Sequence, residues 1–194
     1  MYSLNKEKTN VILALYKEPR SVFRLNDIAA VIEEPRPDAL YKRLNYYVQS
    51  GKILNPRKGI YAKENFNMEE LAGILYTPSY ISFESVLQSK GIIFQYNSTI
   101  TMASYLSRKV KVNDTEVVYR KIKSEILVNP VGIQNVNNKS IATTERALLD
   151  TMYLNKNYTF DNIPSLDKKL LAEILPIYNS KILARRLNKL LNSV

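Results

Sequence analysis

An α+β fold in two parts is what this sequence predicts, and three observations predict it. Apolar residues recur at helical spacing in the first fifty positions. A short basic hairpin pattern follows, and between Thr99 and Ile122 strand-like alternation takes over before helical spacing returns at Thr144. The 194 residues, 45% of them apolar and 24% charged, leave room for two modest domains with real cores.

The elements can be justified in order. From Asn5 to Tyr16 the positions Val11, Ile12, Leu15 and Tyr16 share a face, so a first helix is expected to end before Pro19. Ser21 to Leu25 leans towards strand. Asn26 then offers an N-cap for a second helix from Asp27 to Ile32, with Asp27 at the positive end of its dipole. Glu33-Glu34-Pro35-Arg36 breaks that helix. Pro37 suits the first turn of a third helix running to Ser50, with Gly51 just past its end.

On this third helix Leu40, Leu44, Tyr47 and Val48 fall within one arc, and Lys42, Asn45, Tyr46 and Gln49 fall opposite. Ile53-Leu54 and Ile60-Tyr61-Ala62 then flank Asn55-Pro56-Arg57-Lys58-Gly59, which reads as strand, turn, strand with two cations at the tip. Three helices closed by a basic hairpin are the pattern of a winged helix-turn-helix, expected over residues 1–63.

Glu64 to Asn67 reads as a joint to a second domain, 64–194, with Asn67 capping a helix from Met68 to Leu75. Ser82 is expected to cap a helix from Phe83 to Lys90 that Gly91 ends. Alternation at Ile100 and Met102, Val110 and Val112, and Val117 and Tyr119 predicts three antiparallel strands, with Asn113-Asp114 as a turn. One or two more short strands fit Ile126 to Val136 and Lys139 to Ala142, so a small antiparallel sheet is expected. Thr143 should cap a helix from Thr144 to Leu154. Two tail helices, Asp167 to Leu175 and Asn179 to Leu191, flank Pro176, and no internal repeat or low-complexity tract appears.

Composition narrows the chemistry. The chain contains neither cysteine nor histidine, which removes disulfides, thiol nucleophiles, thiolate metal sites, the commonest general base and the commonest metal ligand. Five scattered glycines build no phosphate-cradling loop. No apolar stretch follows Met1, and the uncharged run Leu71 to Phe83 is broken by polar residues, so no signal peptide or spanning helix is expected and the cytoplasm is the default location. The net charge of +10 favours a polyanionic partner, with 12 Lys/Arg against 6 Asp/Glu in residues 1–63 and 16 against 12 in residues 64–194.

Against duplex DNA, Asn45 and Gln49 have the amides to read adenine, Lys42 reaches guanine or phosphate, and Tyr46 suits a thymine methyl or a phosphate. Arg57 and Lys58 at the hairpin tip, with Arg36, Arg43 and Lys52 at the border, suit the backbone. A polar helix face alone is often merely solvated; the hairpin cations are what raise it to a candidate. Asp38 is read as a helix cap.

The carboxylates offer less. Asp114, Glu116 and Lys121 are the nearest approach to a metal nuclease but do not form an E-x-K on one strand. Arg146 and Asp150 form an i, i+4 pair of structural type. Lys181, Arg185 and Lys189 line up at i, i+4, i+8, with Arg186 at their margin, as a solvated stripe or a docking surface for an acidic protein face or DNA backbone.

The runs LNYYVQSGKILNPRKGIYAK, LAGILYTPSYISFESVLQSKGII and SIATTERALLDTMYL, in this order, resemble the AbiEi-type antitoxins of type IV toxin-antitoxin systems. The resemblance covers about Asp27 to Leu154, and its most specific part is the Pro-Ser-Tyr-Ile-Ser entry into a helix ended by glycine. It implies an N-terminal winged helix-turn-helix that binds inverted repeats in the operon's own promoter. It further implies a C-terminal domain that counters a nucleotidyltransferase toxin encoded next door, often in defence against phage.

On that resemblance the DNA role falls on Lys42, Asn45, Tyr46, Gln49, Arg57 and Lys58, while Pro78 to Ser85 and Ala142 to Asp150 are scaffold. Lys181, Arg185, Arg186 and Lys189 become candidate toxin-neutralising contacts; no enzyme activity, cofactor, metal or membrane is implied. The alternatives are a stand-alone winged-helix transcription regulator whose C-terminal domain senses or dimerises, and a nuclease with a winged targeting domain.

Overall fold

Asn10 accepts a hydrogen bond from the Leu13 amide at 3.3 Å and so opens the first helix, α1 (Val11–Lys17). A computed structural model of the chain describes residues 10–34, 36–95, 98–163 and 165–192; residues 5–9 of the expected first helix, and Pro35 of the expected break after the second, lie outside them. The order that follows is β1 (Val22–Arg24), α2 (Leu25–Val31), α3 (Pro37–Gln49), β2 (Leu54–Arg57), β3 (Ile60–Ala62) and α4 (Met68–Leu75). The second helix starts earlier than expected. Its N-cap is Arg24 rather than Asn26, because Asp27 at the third helical position accepts from the Arg24 amide at 2.8 Å.

The strands β1, β3 and β2 form an antiparallel sheet in that order, closed over a core of Val11, Leu15, Phe23, Ile28, Ile32, Leu40, Leu44, Ile53 and Tyr61. Pro56 is tolerated in β2 because that strand is an edge, where the missing N–H breaks no ladder. The hairpin turn is tighter than expected: Arg57 faces Ile60, leaving Lys58-Gly59 as the turn, with Gly59 at φ +78°. Asn55 closes it by donating from Nδ2 to the Arg57 and Ile60 carbonyls at 2.9 and 2.7 Å.

The chain divides into two compact units, Met1–Ile74 and Leu75–Val194. The division falls later than the expected 63/64 for a physical reason. Asn67 caps α4, accepting from the Glu69 and Glu70 amides, and the buried Glu70 carboxylate turns back to accept from the Ser21 amide (3.0 and 2.9 Å), the Ser21 hydroxyl and the Val22 amide (3.4 Å). Ser21 Oγ accepts in turn from the Asn67 amide at 2.9 Å. The helix expected to open the second domain is therefore fastened to the first.

The second unit runs β4 (Ser79–Ile81), α5 (Glu84–Ser89), β5 (Ile100–Ser104), β6 (Arg108–Val112), β7 (Thr115–Lys121), α6 (Ser124–Leu127), β8 (Ile133–Val136), β9 (Lys139–Ala142), α7 (Thr144–Leu154), α8 (Lys168–Ile174), a 3-10 turn (Leu175–Tyr178) and α9 (Lys181–Leu191). Its strands form one six-stranded sheet, β6-β7-β5-β4-β9-β8, in place of the small antiparallel sheet expected. The sheet is mixed: β5 lies parallel to β7 and β4 parallel to β9, while the remaining neighbours are antiparallel. Alternation marks strands but carries no information about their order, so the β6-β7 hairpin at Asn113-Asp114 was legible and the placement of β7 beside β5 was not.

Thr143 caps α7 as expected, accepting from the Arg146 amide at 3.3 Å, and α7 is buried from Glu145 to Met152. Ser82 does not cap α5. The N-cap is Phe83, at φ +57° and ψ −135°, a region bulky residues seldom occupy, and the Ser82 hydroxyl is spent elsewhere.

Candidate nucleic-acid interface

α3 presents its polar residues as its periodicity requires. Leu40 and Leu44 are fully buried, with Tyr47 and Val48 packed partly against the same core. Lys42, Tyr46 and Gln49 are exposed, Tyr46 at 62%, and Asn45 is half-buried. Asp38 lies exposed in the first turn, where the helix dipole favours an anion. On the hairpin, Arg57 and Lys58 are exposed.

The bordering cations are less free. Glu34 pairs with Arg36 at 3.6 Å and with the half-buried Arg43 at 3.4 Å, which ties the entry to α3 to its middle turns. Lys52 is exposed, with its Nζ 5.7 Å from the centre of the Tyr47 ring. α3 thus carries exposed side chains on its outer arc, where the Tyr46 ring lies 5.8 Å from that of Tyr47, and structural ones at its flanks.

In the second unit the charged residues singled out from the sequence behave differently. Arg146 and Asp150 are both fully buried, their Nε and Oδ1 atoms 3.5 Å apart. The Arg146 guanidinium donates to the Val131 carbonyl (2.8 Å), the Ile126 carbonyl and the Tyr80 hydroxyl (3.2 Å). Asp150 accepts from Tyr80 (2.9 Å), Ser82 (2.8 Å) and Tyr178 (2.6 Å). Burial pushes the Asp150 carboxyl up, against the opposing pull of Arg146 and the hydroxyls of Tyr178, Ser82 and Tyr80. Burial, then the Asp150 charge, raises the hydroxyls of Tyr80 and Tyr178 as well.

Sequence reading found the i, i+4 pair but not its partners. The available signal was Tyr80-x-Ser82, two polar groups at strand spacing on one face of a mostly apolar strand. Gly132 abuts the same cluster at φ +76°. A Cβ there would stand 2.6 Å from the Ile174 side chain and 3.0 Å from that of Arg146.

Also unforeseen is a groove of about 750 Å³ lined by Glu84, Thr99, Lys109, Glu116, Arg120 and Tyr158, among others. Glu84 and Arg120 form a two-pronged pair at 2.9 Å in its wall, and the Arg120 guanidinium lies 4.9 Å from the centre of the Phe83 ring.

The nuclease alternative gains no constellation from this. Glu116 stands opposite Lys111 across the β6-β7 ladder, and Lys121, five residues further along β7, faces the other side of the sheet. Among the described residues no group of three or more His, Cys, Asp or Glu could hold a metal ion, and no helix is long and apolar enough to cross a membrane.

On α9, Lys181, Arg185 and Lys189 are exposed as a stripe. Arg186 is not part of it, since its guanidinium donates to the Met152 and Asn155 carbonyls at 2.7 and 2.9 Å and fastens α9 to the end of α7. No family model matches the chain, and no curated protein matches it.

Proposed function

We propose that this chain is a DNA-binding autorepressor and antitoxin of the AbiEi type. Its N-terminal unit acts as a winged helix-turn-helix with α3 in the major groove of promoter DNA, and its C-terminal unit counters a neighbouring nucleotidyltransferase toxin. The observation that carries the DNA half is the division of α3, whose buried Leu40 and Leu44 fix the helix while Lys42, Tyr46 and Gln49 stand in solvent with Asn45 beside them. The order α1-β1-α2-α3-β2-β3, with cations at Arg57 and Lys58 on the hairpin, supports the same reading. Arg36, Arg43 and Lys52 serve as backbone-positioning groups in it. The antitoxin half rests on the ordered run of motifs alone.

The test is a fluorescence titration of the full chain against duplex from its own promoter and against random duplex, across a range of salt. K42A/N45A should weaken the promoter site far more than random DNA. R57A/K58A should weaken both and lower the salt slope by about two. Unchanged promoter affinity in both variants rejects the docking. For the antitoxin half, co-expression with an adjacent nucleotidyltransferase gene should restore growth, and continued arrest rejects it.

A second reading is favoured by the groove whose wall holds the Glu84–Arg120 pair, and whose volume suits a small ligand: a winged-helix regulator whose C-terminal unit senses a metabolite. An operon without a nucleotidyltransferase gene would select it.

A further inference from the structure

The groove at Glu84 and Arg120 is built from one face of the six-stranded sheet, the start of α5 and the segment after α7. On its floor Val118 stands in the middle of β7, with Lys109 opposite it on β6 and Thr101 opposite it on β5. Glu116 and Arg120, two residues to either side on β7, share that face. An apolar residue is thereby ringed by polar ones.

The walls are fastened internally. The Asp161 and Asn162 amides donate to the Ile92 carbonyl at 3.0 and 3.1 Å, the Asp161 carboxylate accepts from the Phe94 amide at 2.7 Å, and the Asn155 amide closes the end of α7 on the Thr151 carbonyl. Burial, then the Glu84 charge, raises the Tyr158 hydroxyl, against the pull of Arg120 and with a further push from Asp161. These four side chains therefore converge on one space.

Charge limits what that space can hold. The chain carries a net +10, yet the groove sets Lys109 and Arg120 against Glu84, Glu116 and Asp161. Arg120 is spent on Glu84, so a phosphate would meet Lys109 alone, beside two further carboxylates. A small cation would find Glu116 with Lys109 next to it, and an Asp161 already shared with the Phe94 amide.

The rest of the lining is mostly neutral and hydrogen-bonding, from Gln95, Thr99, Asn155, Asn157, Tyr158 and Thr159. Hydroxyls and carboxamides both donate and accept, as the hydroxyls of a sugar do, whereas an ion asks for one kind of partner. Val118, Ile93 and the Tyr158 ring, 5.1 Å from that of Phe160, add apolar surface for the faces of a ring whose edge is polar.

We propose that this groove binds an uncharged, hydroxyl-rich ring: a saccharide, free or as the sugar of a nucleoside. The proposal rests on the reading of the groove as a ligand site and adds the ligand's class. Lys109 donates and Glu116 accepts at the edge of the ring, Asn157 does both, and Val118 and Tyr158 meet its faces.

The test follows the unfolding midpoint and the heat of titration of the full chain with D-glucose, D-ribose, sucrose, adenosine and uridine, and with AMP as the charged counterpart. At least one neutral probe should bind with a dissociation constant of about 1 mM or tighter and raise the midpoint as its concentration grows. Binding of D-glucose, D-ribose or sucrose without the nucleosides identifies a free saccharide. Adenosine and uridine ahead of D-ribose identify a nucleoside, and AMP should then bind more weakly than adenosine. Glu116→Ala and Asn157→Ala, both at exposed positions, should each weaken the probe severalfold and leave the midpoint of the free chain in place.

No shift with any of the five neutral probes overturns the proposal. AMP binding more tightly than adenosine makes the groove an anion site and also overturns it, as does binding that both variants leave unchanged. Sensing is judged separately, by promoter affinity with and without each probe. A neutral probe that binds while promoter affinity stays the same leaves the site and removes the sensing; promoter affinity that answers to AMP and to no neutral probe keeps the sensing and removes the sugar.

Discussion

The two units use charge in opposite ways. In the N-terminal one the main core cluster is apolar, the buried Glu70 carboxylate is held by the Ser21 and Val22 amides, and the Arg36, Arg43 and Glu34 side chains meet near the surface. In the C-terminal one the largest fully buried side chain is Arg146, paired to Asp150 and sealed by Tyr80, Ser82 and Tyr178. A surface ion pair contributes little to stability, whereas a buried one that loses a member leaves an uncompensated charge in a place water cannot reach. The difference teaches where substitution tests function and where it tests folding. Changing Lys42 or a cation of the hairpin tests the proposed binding, and changing Arg146 tests whether the second unit exists.

The sharpest way to break the comparison is Arg146→Leu. It should cost about 3–5 kcal/mol in urea unfolding, and a loss no larger than that of a surface arginine would mean the pair is not the keystone its burial suggests. Next, Leu44→Ala should cost the N-terminal unit about 2–4 kcal/mol, the transfer and cavity terms of a fully buried leucine. A smaller loss would show that the core recloses around the gap.

The third effect grows with pH. The Tyr80 and Tyr178 hydroxyls keep their protons above the ordinary tyrosine range, so their contribution is complete below about pH 10, where unfolded tyrosine ionises, and is lost as pH rises towards the folded values. Each removes up to about 1.4 kcal/mol per pH unit in that window. Tyr178→Phe should flatten the alkaline limb of the stability curve, and an unaltered limb between pH 10 and 11.5 would refute the linkage. The smallest effect closes the series: Lys42→Ala and Lys58→Ala should leave the unfolding midpoint where it is while weakening DNA.

What the sequence made legible follows from how local each feature is. Caps were readable at Asn67 and Thr143, because a side chain and the amides it satisfies lie within three residues. The Ser82 cap failed since that hydroxyl had a better acceptor in Asp150, sixty-eight residues away. Separation in sequence also hid Tyr178, twenty-eight residues from Asp150, which no periodicity links to α7. For the candidate interface the polar arc of α3 could be read in full, whereas the capture of Arg36 and Arg43 by Glu34 depended on how the chain turns into α3.

Glu70 has a practical corollary for anyone who wishes to dissect the molecule. A fragment that stops at Lys63 forfeits α4 and with it the carboxylate that satisfies the Ser21 and Val22 amides, so those donors would lose their acceptor. The complementary piece beginning at Glu64 would inherit an amphipathic helix with nothing to lie upon. Scissors placed after Ile74 spare both halves. Apparent toxicity, insolubility or lost binding in pieces cut at the earlier point would report an orphaned helix, not a missing activity.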